Sequence, residues 1–450
     1  MFTREWWSKR RLKVKDDQQS KAAELTLRQS IFPIFLVTIL FFLWGFSYGL
    51  LDTLNKHFQK TLGIDRARST GLQVAYFGAY PLASLGHAAW ILRHYSYKAV
   101  FIWGLFLYGV GALLCIPAIL ARSFAGFCVC IFIIGNGLGS LETAANPFIT
   151  VCGPPRYSEI RINISQAFNG IGTVIAPAMG SYVFFTFEDT QALANVQWVY
   201  LAIACFVFLL AGIFLMSNIP EITDADMAFQ AAETHAGESD LPFRKQYRLF
   251  HAAAAQFCYT GAQVAIASLF INYVTEARPG TSNSLGAQLL SGAQAAFTVG
   301  RFAGVGFMHF VKPRLVFLAF LALVSIFLIP AIATRGDAGV AMMFIVLFFD
   351  EDLIVGGVFG GAVVPPLMGH VADIRGTPTA MVVPLAFMVA ALSYAVAVNF
   401  VPWYRDTADA FTSAEIGITN AGAADEENSV KGEARVLEDK KVESAMASGI

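Results

Sequence analysis

The chain of 450 residues is 56% hydrophobic and only 14% charged, with 40 Phe and a mean hydropathy of +0.57, whereas a soluble chain carries about 25% charged residues. Too few charges remain to coat a globule of this length, and a net charge of −1 offers no basic surface for nucleic acid. What remains is an all-α membrane protein with many spans.

Residues 1–30 hold Arg4, Lys9, Arg10, Arg11, Lys13, Lys15, Lys21 and Arg28 ahead of the first apolar run. Such an arm is not a cleavable secretory signal; it reads as cytoplasmic, with the first helix as an uncleaved signal-anchor. Apolar runs long enough to cross hydrocarbon then recur at 31–52, 71–92, 99–120, 126–150, 162–186, 197–217, 249–275, 285–310, 315–334, 338–349, 353–372 and 378–401. These twelve segments split six and six. A first bundle covers 31–218, an acidic and then basic cytoplasmic linker covers 219–248, and a second bundle covers 249–401. The tail, 402–450, is rich in Ala, Glu and Lys and reads as a disordered cytoplasmic extension.

The loops bearing Arg93 and Lys98, Arg156 and Arg161, and Lys312 and Arg314 fall on the same side as the arm, as the positive-inside rule asks. The loop with Lys56, Lys60, Arg66 and Arg68 falls opposite and disagrees. Residues 86–98 and 300–314 echo each other at the ends of the second and eighth segments, which suggests a parallel repeat. Cys115, Cys128, Cys130, Cys205 and Cys258 lie inside apolar runs and Cys152 ends one; without metal-ligand spacing they read as packing residues.

A charge at membrane depth costs at least about 2.5 kcal/mol and must face a cavity or a partner. Two carboxylates qualify. Asp52 ends the run FFLWGFSYGLL; if the first helix continues to Leu62, this acid lies roughly 15 Å from the helix end, and if the helix stops there it is interfacial. Glu142 sits in mid-segment in IFIIGNGLGSLETAANPFIT. A carboxyl group taken out of water exchanges its proton nearer neutral pH, which suits a proton carrier; a hydrogen-bonded structural acid is the other reading. Asn146 stands one turn away on the same face, and Gly135 and Gly139 make a ridge that lets another helix approach.

Asn163, Gln166 and Asn169 recur every three residues in RINISQAFNGIG. Each amide offers donor and acceptor atoms, as sugar hydroxyls do, although interhelical amide bonding would use them equally well. Gln256, Tyr259 and Gln263 share a face of the seventh segment, and with Asn272, Gln288 and Gln294 they could close the site from the second half.

Five stretches carry a family resemblance: FFLWGFSYGLLDTLNKHFQ (41–59), GLGSLETAANPFITVCGP (137–154), RINISQAFNGIGTVIAP (161–177), AQFCYTGAQVA (255–265) and GRFAG (300–304). They resemble the fucose:proton symporter and glucose/galactose transporter branch of the major facilitator superfamily, over about residues 31–401. The resemblance implies two six-helix bundles with a solute site between them. It places Asp52 and Glu142 on the family's two membrane carboxylates, for proton coupling and gating, with Glu142 the proton carrier. It places Gln166 and Asn169 on sugar-contacting positions, with Gln263 and Gln256 opposite. It also implies a multi-pass plasma-membrane protein with both termini cytoplasmic, a monosaccharide and a proton as its partners besides lipid, no cofactor or metal, and no catalytic residue.

One departure stands out. The tenth segment, 338–349, is only 12 residues long, about 18 Å of helix against a core near 30 Å, before Asp350, Glu351 and Asp352 interrupt. The expected function is proton-coupled uptake of a monosaccharide of the fucose, glucose or galactose type by alternating access. The alternative is a non-transporting sugar sensor, or a transport-defective variant, because of the short tenth helix. An intramembrane enzyme is disfavoured, since the seven His are scattered and no catalytic acid pair or Ser–His pairing is present.

Overall fold

The computed structural model describes residues 22, 25–153, 158–185, 189–223, 226, 243–308, 310–350 and 359–405. The basic arm almost entirely, most of the linker and the tail beyond residue 405 lie outside the described residues. The first half holds α1 (Leu27–Leu62), an interrupted α2, α3 (Tyr97–Leu120), α4 (Phe124–Val151), α5 (Ser158–Val183) and α6 (Asp189–Met216). The second holds a bent α7, α8 (Asn283–Met308), α9 (Pro313–Ala333), α10 (Gly336–Phe349), α11 (Gly360–Arg375) and α12 (Val382–Phe400).

Local chemistry sets the ends. Thr26 and Gln29 form a capping box that starts α1, and Gly63, at a φ of +62°, stops it in the left-handed conformation that costs glycine least. The hydroxyls of Ser96 and Ser123 accept the Ala99 and Gly126 amides at 3.0 and 3.1 Å, capping α3 and α4.

Two expected continuous helices are broken. In place of one run over 71–92, α2 comprises Gly71–Gly78, a π-helical turn Leu82–His87 and Ala88–His94, with Gly86 outside helical geometry. His87 bridges this break to its neighbours: it accepts from Trp103 Nε1 at 3.1 Å and meets Asn136 Oδ1 at 3.3 Å. The seventh segment is two pieces, Tyr247–Ser268 and Phe270–Ala277, bent by 52°. At that bend Asn55 of α1 donates to the Ser268 carbonyl at 3.2 Å, giving the kink an identifiable anchor.

Each half has its own apolar core, the first built around Phe101, Phe148 and Phe214, the second around Phe270, Leu290, Leu328 and Met388. Helix pairing repeats between halves: α1 with α5, α2 with α4 and α3 with α6 are matched by α7 with α11, α8 with α10 and α9 with α12. The halves meet through α5 against α8 and α2 against α11, a pairing that also maps onto itself when the halves are exchanged, as a parallel repeat requires.

Among the described residues six helices are long and apolar enough to cross a membrane, and the bent α7 makes a seventh. Each of the twelve expected segments nonetheless contains helix. α2, α5, α8 and α11 are the four that pair across the halves; a helix covered by protein on much of its surface does not need apolar residues all round. The 14 residues of α10 reach only about 21 Å.

One end of the assembly is locked. Arg66, in the turn after α1, contacts Glu276 at the end of α7 at 2.5 Å and donates to the Ala372 carbonyl of α11 at 2.9 Å. The Arg66 and Ala67 amides bind Asp373 at 3.0 and 2.9 Å, while Glu276 also accepts the Thr377 amide and hydroxyl, both at 2.7 Å. Gln59 of α1 accepts from Asn272 of α7 at 2.6 Å. A single exposed ion pair is worth little, but here Arg66 and Asp373 are each also held by backbone groups of the opposite half, and Glu276 by the Thr377 amide of its own half.

At the other end, the carboxylate of Glu221 accepts the Tyr97 amide at 2.7 Å, capping the start of α3, and Lys98 Nζ reaches the Leu215 and Ser217 carbonyls, each at 2.8 Å. Burial pushes the Glu221 carboxyl up to about 7, against the smaller opposing pulls of the Tyr97 amide and Lys98. Its contribution to stability is therefore full below the ordinary glutamate range and is lost as pH rises through 7, by about 1.4 kcal/mol per pH unit across that interval. Glu221→Gln keeps an acceptor and removes the titration. We expect the thermal midpoint of the purified protein to fall from pH 5 to pH 8, and that fall to be reduced by several degrees in Glu221→Gln; identical pH profiles would contradict the assignment.

Candidate functional site

The residues with membrane-depth chemistry lie on α1, α4 and α5, helices that pack against one another within the first half. α1 and α5 approach backbone to backbone: a side chain at Gly45 would strike the Asn169 carbonyl, and one at Gly172 would strike the backbone of Phe42 and Phe46. Similarly, Gly135 lies against the Tyr76 backbone, and a methyl on Gly139 would stand 3.0 Å from the Ala83 side chain, so the expected small-residue ridge of α4 receives α2.

Glu142 and Asn146 on α4, and Gln166 and Asn169 on α5, are all half-buried. Gly139, three residues before Glu142 on α4, packs against Tyr80 of α2, where an added methyl would stand 3.3 Å from the Tyr80 ring. Asn146 Oδ1 is buried without a hydrogen-bond partner. Arg301 of α8 reaches over from the second half to Gln166, bonding its side-chain oxygen at 3.1 Å, and is braced over the Phe297 ring at 5.0 Å. That contact turns Gln166 of α5 toward the other half. Asn163 belongs to α5, but its side chain lies outside the described residues.

Asp52 lies within α1, which runs on to Leu62, so the interfacial alternative does not hold. It is 1% exposed. Gln73 Nε2 of α2 donates to its Oδ1 at 3.4 Å, while Asp52 Oδ2 and Gln73 Oε1 have no partner.

In the second half the named residues lie within the bundle. Gln256, Tyr259 and Gln263 are buried on α7; Gln256 donates to Thr260 of its own helix at 3.0 Å, and Gln263 donates to the Asp350 carbonyl at 3.1 Å. Asn272 is engaged at the locked end. Gln294 is buried, whereas Gln288 is exposed.

Three features were missed in the sequence. Asp350, read as an interruption, is fully buried at the end of α10, where the Phe348 backbone abuts Gly300 of α8. Arg301 lay inside a motif noted only for its resemblance. Trp44 donates to Tyr80 Oη at 2.6 Å; the signal available was Gln73, Tyr76 and Tyr80 at intervals of three and four residues, a polar face opposite Asp52 and Trp44. Of the cysteines, Cys205 is exposed and does not serve the core.

Residues 36–398 match the model of the Major Facilitator Superfamily. The chain belongs to the major facilitator superfamily. Within it, this chain is 30% identical over 425 residues to the L-fucose-proton symporter of Escherichia coli, covering 85% of this chain and 95% of that one. It is 29% identical over 385 residues to a glucose/galactose transporter of Brucella abortus, covering 79% and 91%. These relatives set it in the fucose symporter and glucose/galactose transporter branch. The crystal structure of the superfamily transporter FucP in the outward conformation superposes with a TM-score of 0.59 at 28% identity, covering 81% of this chain and 98% of that one. This superfamily member is accordingly a multi-pass membrane protein of a transporter family, not an enzyme.

Proposed function

We propose that the protein takes up a monosaccharide together with a proton by alternating access between its two halves. The observation that carries this reading is Glu142: an acid in the middle of a membrane-spanning helix that is half-buried rather than fully buried, in a half whose α5 amide Gln166 reaches Arg301 of the other half. Such a group persists in hydrocarbon only where a polar opening or a partner meets it.

In this reading Glu142 carries the proton, and Asp52 governs closure from its buried position on α1. Asn146, Asn163, Gln166 and Asn169 bind the sugar from the first half, with Gln256, Tyr259 and Gln263 opposite. Asn146 Oδ1, Gln294 Oε1 and Gln73 Oε1 are acceptors without a protein partner, and sugar hydroxyls are the donors that would satisfy them. The substrate class follows from the relatives, one named for L-fucose and one for glucose/galactose. With both termini in the cytoplasm of a plasma-membrane protein, the Arg66 lock closes the outer end, and the conformation described is shut to the outside.

Asn169→Ala should weaken sugar binding about tenfold, the loss of one or two neutral hydrogen bonds at about 1 kcal/mol each. Isothermal titration of the purified protein with fucose, glucose and galactose measures it, and unchanged affinity for whichever sugar binds would remove Asn169 from the site. The 14-residue α10 favours a second reading, a sugar sensor that binds without moving its ligand. Binding that saturates while no labelled sugar crosses the bilayer would establish that alternative.

A further inference from the structure

α5 and α8, which join the two halves, run antiparallel along a regular seam. Ser284 Oγ donates to the Ser181 carbonyl at 3.1 Å and Ser291 Oγ to the Val174 carbonyl at 2.8 Å. Further along, a side chain at Gly170 would strike the Thr298 side chain, and Arg301 meets Gln166. Each contact lies one or two helical turns from the next on both helices, so all of them fall on the faces that α5 and α8 turn to each other. The register of the whole seam therefore delivers Arg301 to Gln166.

At that point Arg301 clamps a single residue. Its Nη1 lies 3.1 Å from the side-chain oxygen of Gln166 and 3.4 Å from the carbonyl of the same residue, and its guanidinium is braced at 5.0 Å over the ring of Phe297, one turn back on α8. A guanidinium only donates, so the Gln166 atom that faces it must be the oxygen, and the amide nitrogen with its two hydrogens is turned the other way. Among the described residues that nitrogen meets no protein acceptor, and Gln166 is half-buried. A free amide can turn either end to a ligand, whereas this one is fixed with its donors away from Arg301. Joining the halves does not call for a charge here: two serine hydroxyls do so on the same seam without one, and an ionised side chain inside a membrane bundle is costly.

Resting on the sugar-binding reading above, we propose that Arg301 is a positioning residue for the sugar site: by holding the Gln166 oxygen across the boundary between the halves, it fixes that amide with its N–H groups presented to an oxygen of the sugar. Arg301 acts through Gln166 and need not touch the sugar itself. The clamp exists only while α8 lies against α5 at this level, so one sugar contact of the first half depends on the placement of the second.

The test is a double-mutant cycle on sugar affinity in the purified full chain, with wild type, Gln166→Ala, Arg301→Met and the double variant titrated calorimetrically with fucose, glucose and galactose. Each single variant is expected to weaken binding about tenfold. The double variant should bind within about twofold of Gln166→Ala, because a residue that acts through Gln166 has nothing left to position once that amide is gone. Arg301→Gln, shorter and uncharged, carries the same cycle where Arg301→Met is not monodisperse. Arg301→Lys separates positioning from packing: its ammonium still donates to the Gln166 oxygen and should keep affinity within about threefold of wild type, whereas a packing role is filled better by Met. Single losses that multiply to about a hundredfold in the double variant overturn the proposal, and so does an Arg301→Met protein that binds as tightly as Arg301→Lys. Failure of wild type to bind any of the three sugars overturns the underlying sugar reading instead, and shows itself before any residue is changed.

Discussion

Replacing Glu142 by Gln is expected to bring uphill sugar accumulation to a ratio of about one, while some sugar exchange continues. One proton moving down a gradient of one pH unit releases about 1.4 kcal/mol, enough for roughly tenfold accumulation, and a membrane potential of about 100 mV adds about 2.3 kcal/mol. Gln matches Glu in shape and still accepts hydrogen bonds, but it neither gains nor loses a proton. All coupled work therefore disappears with the titratable group, while the amides of α5 continue to bind. Labelled sugar measured inside vesicles with and without a pH gradient checks this, and undiminished accumulation in Glu142→Gln would remove the acid from coupling.

The second large effect is structural. Gly45→Leu should leave little folded protein, because even the first atom of a side chain at Gly45 enters the Asn169 carbonyl, and the reciprocal contact at Gly172 meets the Phe42 and Phe46 backbone. No flexible side chain can move aside, so α1 and α5 must separate. Overpacking by a methyl or two costs about 1 to 3 kcal/mol, and a whole Leu side chain against two backbones costs more. Gly45→Ala should fold with a lowered thermal midpoint and weaker sugar affinity, since Asn169 shifts with its carbonyl. The monodisperse fraction in gel filtration measures the first effect; a Gly45→Leu protein eluting and binding sugar like wild type would refute this close approach.

Much of this architecture is legible in the sequence because hydropathy and helical spacing report burial directly. The mid-segment acid at Glu142, the amide row of α5 and the Gly135–Gly139 ridge of α4 all follow from it. The breaks do not. The π-helical turn and Gly86 excursion of α2, and the bend of α7 at Leu269, are settled by contacts such as Asn55 with Ser268 and His87 with Trp103, which join residues far apart in the chain. Asp350 shows a related failure: a carboxylate beside a helix end reads as a stop, and only packing of α10 against α8 reveals its burial.

The one loop that violated the positive-inside count has a structural explanation. Arg66 is committed to Glu276, Asp373 and the Ala372 carbonyl, and Lys56 lies within electrostatic reach of the same Glu276. Charges neutralised by the opposite half report a contact between halves rather than a topology, and they act across more than 200 residues of sequence, where no local pattern can show them.

The central claim, that a proton gradient drives a monosaccharide through this chain, is tested most directly by reconstituting the full-length protein in proteoliposomes with the exterior about one pH unit more acidic than the lumen. Labelled fucose, glucose and galactose are offered singly, with and without a protonophore. The account predicts that at least one of them concentrates about tenfold inside at one proton per sugar, and that the protonophore abolishes the excess. Simple equilibration of all three, or binding without entry, would contradict it.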